Sequence, residues 1–223
     1  NIAYDVQLNT GNYVIKLIKL KGFETYVLKQ NKIYDLIKLT FSTFPIVRII
    51  QCDYSKTIID KPYLIVEKIP GKSLLYAYET IPNKSEVFEQ LGQLYGQLHC
   101  FKMECYGELD DHLELIKTYK SWYVENCNKI TRLFEKIQHT KLLSTTTLQQ
   151  NIDFFEHNKA ILKQEIGPRL CHGDSAPSNI LVDTNNGKYF VSGIIDFEFC
   201  RSSGSIQDLF SGLRKGHIKI KHR

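Results

Sequence analysis

Leu170-Cys171-His172-Gly173-Asp174-Ser175-Ala176-Pro177-Ser178-Asn179-Ile180-Leu181-Val182 is the stretch on which the reading of this chain turns, and Gly193-Ile194-Ile195-Asp196-Phe197-Glu198 follows it. Between the two lies Asn185-Asn186-Gly187, a strong turn signal, so residues 179–184 and 188–195 read as a hairpin. The pattern sets an Asp, an Asn and a second Asp on two neighbouring strand ends. Phosphoryl transfer uses that set. One carboxylate receives a hydroxyl proton, while an amide and a second carboxylate hold Mg²⁺ on the nucleotide phosphates.

With 223 residues the chain can bury one sizeable core or two small lobes. Its 43% hydrophobic and 24% charged residues exclude disordered and collagen-like classes. The net charge of +5 comes from Lys spread along the chain, with no recognition motif beside it, so no nucleic-acid partner is expected. No apolar run reaches the ~20 residues of a membrane span, and no signal peptide opens the chain, so no membrane partner is expected either. The six cysteines, at 52, 100, 105, 127, 171 and 200, form no C-x-x-C pair and no zinc-finger spacing with His. They read as reduced, mostly buried thiols of a cytoplasmic protein.

Upstream, the pattern is β, then α, then β. Tyr4 to Leu8 and Tyr13 to Leu20 are strand-like, with Asn9-Thr10-Gly11-Asn12 as a hairpin turn. Glu24 to Thr40 has helical period, and Tyr63 to Val66 reads as a buried strand entering a Pro70-Gly71 turn. Ser85 is the expected N-cap of a helix presenting Phe88, Leu91, Leu94, Tyr95 and Leu98 on one face. Residues 113–165 read as two or three helices, broken by a Ser/Thr cluster at 143–147. The expected architecture is α+β, with a β-rich lobe over 1–69 and a mostly helical lobe over 70–223 that carries one hairpin.

The H-G-D-x-x-x-x-N spacing at 172–179 resembles the catalytic loop of the protein-kinase-like small-molecule kinases, the aminoglycoside phosphotransferase/choline kinase family. Leu94 to His99 and the G-x-x-x-D-L run at 204–209 are similar to further segments of that family, and the resemblance covers about residues 1–209. It implies a bilobal protein-kinase-like fold and an ATP- and Mg²⁺-dependent transfer to a small-molecule hydroxyl, with GTP left open as donor. It also implies roles residue by residue. Asp174 becomes the catalytic base, and Asn179 and Asp196 the metal ligands. Lys16, in Tyr13-Val14-Ile15-Lys16-Leu17, looks like the kinase strand Lys that contacts phosphates. Val66, Glu67 and Ile69 lie where the family holds adenine, with the Glu67 carbonyl and the Ile69 N–H as the expected groups. Asp208 is expected to brace the catalytic loop, His172 to shape it, and Glu198 to face either metal and substrate or solvent.

The pattern also departs from the family. Kinases pair the strand Lys with a helix Glu. Here the position is Gln30 or Lys32, and Glu24 substitutes only if the helix starts earlier. The phosphate-covering hairpin reads as cut short at its start, and the short basic C-terminus omits helices that wall the acceptor pocket in relatives. The alternative is therefore a truncated or degenerate nucleotide-binding module without turnover. For the acceptor, the acidic residues Glu104, Glu108, Asp110, Asp111 and Glu114 suit an aminoglycoside. Tyr119, Trp122, Tyr123 and Phe134 suit a choline-like ammonium, and a homoserine-like amino-alcohol is a third option. Solvated loop and core packing are the plainer readings of those two groups.

Overall fold

The computed structural model describes residues 2–19, 26–164 and 166–213. β1 (Ile2–Leu8) and β2 (Gly11–Leu17) form a tight hairpin with Leu8 opposite Gly11. α1 (Tyr26–Thr40), β3 (Ile49–Asp53) and β4 (Tyr63–Glu67) follow. The four strands pair antiparallel in the order β1-β2-β4-β3. β4 lies inside the sheet, with Tyr63, Leu64 and Val66 all buried, whereas β1 is exposed over most of its length, as an edge strand is. α1 packs on this sheet through Val27, Gln30, Ile33, Tyr34 and Ile37, an apolar-dominated stripe at helical period.

After Pro70-Gly71 come β5 (Lys72–Ser73), the short α2 (Leu74–Ala77) and α3 (Lys84–Leu98). α3 starts one residue before the expected cap, because Asn83 precedes it. The Asn83 side chain pairs with the Tyr189 backbone, donating to its carbonyl at 2.9 Å and accepting its N–H at 3.1 Å. That anchor turns Val87, Leu91, Tyr95 and Leu98 to the core and leaves Phe88 exposed, so the expected face is rotated at its first turn.

β6 (Tyr106–Leu109) and β7 (Leu115–Tyr119) come next, then α4 (Trp122–Thr140) and α5 (Thr145–Asn158). Residues 115–119 are thus strand, not helix. Leu-Ile-Lys-Thr-Tyr favours extended backbone, and Asp110 closes the preceding turn by accepting N–H groups from His112 at 2.8 Å and Glu114 at 2.9 Å. The break at 143–147 is real. Lys141 at φ 51° ends α4, and Ser144 caps α5 by accepting the Thr147 N–H at 3.1 Å.

β8 (Arg169–Cys171), β9 (Ile180–Asn185), β10 (Lys188–Ile194), β11 (Arg201–Ser203) and α6 (Ile206–Leu213) complete the described chain. β9 and β10 are the expected hairpin, turning at Asn186-Gly187. β5 extends them to three strands, and a separate sheet runs β7-β6-β11-β8. The second part therefore carries more sheet than the single hairpin expected. One buried cluster joins Ile33 and Val66 of the first part to Leu91, Ile180, Val182, Ile194 and Phe197 of the second. The six cysteines are free thiols; Cys171 and Cys200 are buried, Cys100 is exposed and the other three are half-buried. No described helix is long and apolar enough to cross a membrane.

Candidate active site

The loop after β8 is held from beneath. Asp208, fully buried, accepts the backbone N–H of His172 through Oδ2 and that of Gly173 through Oδ1, each at 2.9 Å, and its Oδ2 also meets His99 Nε2 at 3.0 Å. The Ser175 hydroxyl donates to the Asp208 main-chain oxygen. His172, itself buried, donates from Nε2 to the Ile195 carbonyl at 2.9 Å. Its Nδ1 accepts the Asp174 N–H at 3.2 Å, which requires the neutral tautomer protonated at Nε2. The imidazole therefore ties the loop to the end of β10.

Gly173 has φ +81°, and a Cβ there would sit 2.2 Å from the Phe199 carbonyl oxygen. Gly173→Ala is expected to cost about 1–3 kcal/mol from backbone strain, with further loss from the clash. A melting temperature and kcat both unchanged from wild type would contradict this.

The three oxygen-bearing residues meet at the hairpin's end. Asn179 Nδ2 donates to the Asp174 carbonyl at 2.8 Å and to its Oδ2 at 3.2 Å. The Asn179 carbonyl accepts the Ile195 N–H at 3.0 Å, which brings it beside Asp196. Asp196 stands in the left-handed region, φ 71°, and donates its N–H to the Tyr34 hydroxyl at 3.3 Å. Lys16 reaches across from β2 to form an ion pair with Asp196 and a second with Glu198 Oε2 at 2.9 Å. Burial pushes the Lys16 pKa down, but the two carboxylates outweigh burial and hold it above the ordinary lysine value. Folding stability from this raised pKa is fully present below about 10.5, the ordinary lysine value, and is lost only as pH rises through the folded one. Lys16 therefore stays charged throughout the neutral range.

The residue opposite Lys16 is not the helix residue that the kinase pattern suggests. Gln30 is buried with Nε2 lacking a hydrogen-bond partner, and Lys32 lies at the surface, 3.2 Å from His112 Nδ1. Glu24 falls outside the described residues. Lys16 forms its ion pairs with Asp196 and Glu198, not with either helix candidate. Glu198 was an even choice in sequence, and Tyr34 carried no chemical signal there. Its one clue was its place among Gln30, Ile33 and Ile37 on the buried face of α1.

The segment after β4 borders a cavity of about 510 Å³, walled by Glu67, Ile69, Pro70, Val47, Ile49 and Tyr34. The Glu67 N–H is committed to the Arg48 carbonyl and the Lys68 N–H to that of Asn12, both at 2.9 Å. Val66 is 8% exposed, packed within the sheet. Ile69 lies over Gly193, where a Cβ would come within 2.6 Å of its Cδ1, so the side chain of Ile69 packs directly on the backbone of β10.

The acceptor candidates are dispersed. Glu108 pairs with Lys117 at 2.9 Å and Arg201 at 3.9 Å, Asp110 is spent on its turn, and Glu104 is exposed. Tyr119 stacks on Tyr106, Phe134 packs on Phe155, and Lys163 covers Tyr123. These aromatics form no single cage.

A family model for the phosphotransferase enzyme family (APH) matches residues 1–219. A comparison with curated protein sequences finds no match. Among solved structures, aminoglycoside phosphotransferase APH(4)-Ia with ADP and hygromycin B superposes with a TM-score of 0.62 at 14% identity, covering 94% of this chain and 66% of that one. The aminoglycoside 2'-phosphotransferase-IIIa complex with GDP and kanamycin gives 0.70 at 19% identity, covering 95% and 69%, and the GDP complex of the wild-type enzyme gives 0.68, also at 19%. This chain thus spans about two thirds of the length of these proteins. The superpositions establish the bilobal kinase-like fold, and with the family match over nearly the whole sequence, the chain belongs to the phosphotransferase enzyme family.

Proposed function

We propose that the protein transfers the γ-phosphoryl group of ATP to a hydroxyl of a small molecule, its two lobes meeting at Ile69/Pro70. The observation that carries this is the convergence of Asp174, Asn179 and Asp196 at one hairpin end, with Lys16 reaching Asp196 from the neighbouring sheet. In this reading the acceptor oxygen attacks the γ-phosphorus and forms the new O–P bond. The bond from that phosphorus to the β,γ-bridging oxygen breaks, and the nucleoside diphosphate keeps the electron pair. The hydroxyl proton passes to the Asp174 carboxylate. Lys16 holds the phosphates. The Glu67 carbonyl and Ile69 N–H read the base beside Val66, a division supported by the Glu67 N–H being already committed to Arg48.

Asn179 and Asp196 offer an amide oxygen and a carboxylate, hard donors that fit Mg²⁺. Mg²⁺ held there would neutralise phosphate charge; the chain's own residues supply the positioning. Asp196→Ala is expected to weaken Mg-nucleotide binding by at least about tenfold, and unchanged affinity in calorimetry would count against the role. Lys16→Met is expected to lower kcat by about 10²–10³-fold, as loss of a transition-state donor does. A kcat near wild type would remove Lys16 from the site.

A module that binds nucleotide without turnover is favoured by one observation. Neither Gln30 nor Lys32, the two positions that could correspond to the kinase helix Glu, is acidic, and Lys16 is held by Asp196 and Glu198 instead. Consumption of ATP and of GTP against a panel of hydroxyl acceptors decides between the two readings. Nucleotide-dependent melting shifts without consumption on any acceptor would select the binding module.

A further inference from the structure

We infer that the acceptor is an uncharged or anionic hydroxyl compound bearing an apolar ring, not a polycation, seated in the cavity between α4, α5 and the catalytic loop. This rests on the phosphotransferase reading above. The cavity holds about 690 Å³, a size that suits a ligand of drug-like dimensions. Gly173, the residue that precedes Asp174 in the chain, forms part of its wall. A ligand seated against Gly173 would therefore lie one residue along the chain from the proposed base.

The wall decides the ligand's chemistry. Trp122, Phe154, Phe155 and Leu162 make it largely apolar and aromatic. Its charged residues are Lys129, Lys159 and Arg201, and no Asp or Glu lines it among the described residues. The carboxylates that pair with those cations lie off the wall: Glu125 with Lys129 at 3.3 Å, Glu156 with Lys159, and Glu108 with Arg201 at 3.9 Å. Each cation is thereby partly neutralised, which permits an uncharged ligand, while the positive charge that remains favours an anionic one. A molecule with several ammonium groups would meet positive charge and find no carboxylate to exchange for its hydration. Two of the acidic residues at 104–114 are already engaged elsewhere, Asp110 in the β6–β7 turn and Glu108 with Lys117 at the surface, and none of them lines the cavity.

The test uses four probes with the whole chain: 3-phenyllactate, 2-phenylethanol, choline and kanamycin. Binding is measured by calorimetry without nucleotide, and transfer by ATP and GTP consumption. Both ring alcohols are expected to bind and to show kcat/KM at least about tenfold above choline and kanamycin. The double variant Lys129→Glu/Lys159→Glu is expected to lower phenyllactate affinity about tenfold and raise that for kanamycin, leaving 2-phenylethanol unchanged. The pair Lys129→Met/Lys159→Met keeps the alkyl stems and should show the phenyllactate loss alone. Failure of both ring alcohols to bind overturns the inference. So does kanamycin or choline serving equally well, an outcome that leaves the kinase reading standing. Charge-sensitive binding of ring alcohols with no transfer to any acceptor supports the ligand class and removes the kinase reading.

Discussion

Asp174→Ala is expected to lower phosphoryl transfer by about 10²–10⁴-fold, the usual contribution of a positioned general base, while nucleotide affinity stays within about threefold of wild type. The separation follows from how Asn179 is held. Its Nδ2 makes its shorter bond, 2.8 Å, to the Asp174 main-chain carbonyl and its longer one, 3.2 Å, to the side chain. Removing the carboxylate leaves the main-chain anchor, so the proposed metal ligand keeps its place. His172 is likewise bonded to the Asp174 backbone, so the loop path survives the change. Steady-state kinetics and nucleotide calorimetry on the same preparation read the two effects separately. A variant that turns over at the wild-type rate would remove Asp174 from the chemistry. Equal losses in kcat and nucleotide affinity would mean that it acts by orienting Asn179.

Asp208→Ala is expected to produce the largest stability loss. The fully buried carboxylate accepts from two backbone N–H groups at 2.9 Å and meets His99 Nε2 at 3.0 Å. Truncation would leave those donors buried without an acceptor, at roughly 1–3 kcal/mol each. A total of about 4 kcal/mol corresponds to a fall of about 8–16 °C in melting temperature for a chain of this size. Asp208→Asn keeps one acceptor oxygen and should lose about half as much. Thermal unfolding followed by circular dichroism checks both. A drop of less than about 2 °C in the alanine variant would show that the loop holds itself without this support.

The loop after β8 and the hairpin that follows it were legible in the sequence because their determinants are local. His172, Gly173, Asp174 and Asn179 lie within one turn of chain, and Asn186-Gly187 closes the strands that present Asn179 and Asp196. The role of Asp208 as brace was legible too, from its spacing after Gly204. The sheet β7-β6-β11-β8 was not. β8 and β11 have three residues each, too short for any period, and β11 lies between β6 and β8, partners distant in sequence. The rotation of α3 escaped for a similar reason. Asn83 spends its side chain on the Tyr189 backbone, more than a hundred positions away, and that distant bond sets which face of the helix is buried.

Sequence alone determined the family, the bilobal plan and the residues that gather at the hairpin end, because strand period, turn chemistry and short motif spacing are properties of neighbouring residues. Only the tertiary structure decided what surrounds Lys16 and which charges face the cavity beside Gly173. Lys16 and Asp196 are 180 positions apart, and Coulomb forces depend on separation in space, which chain order does not record.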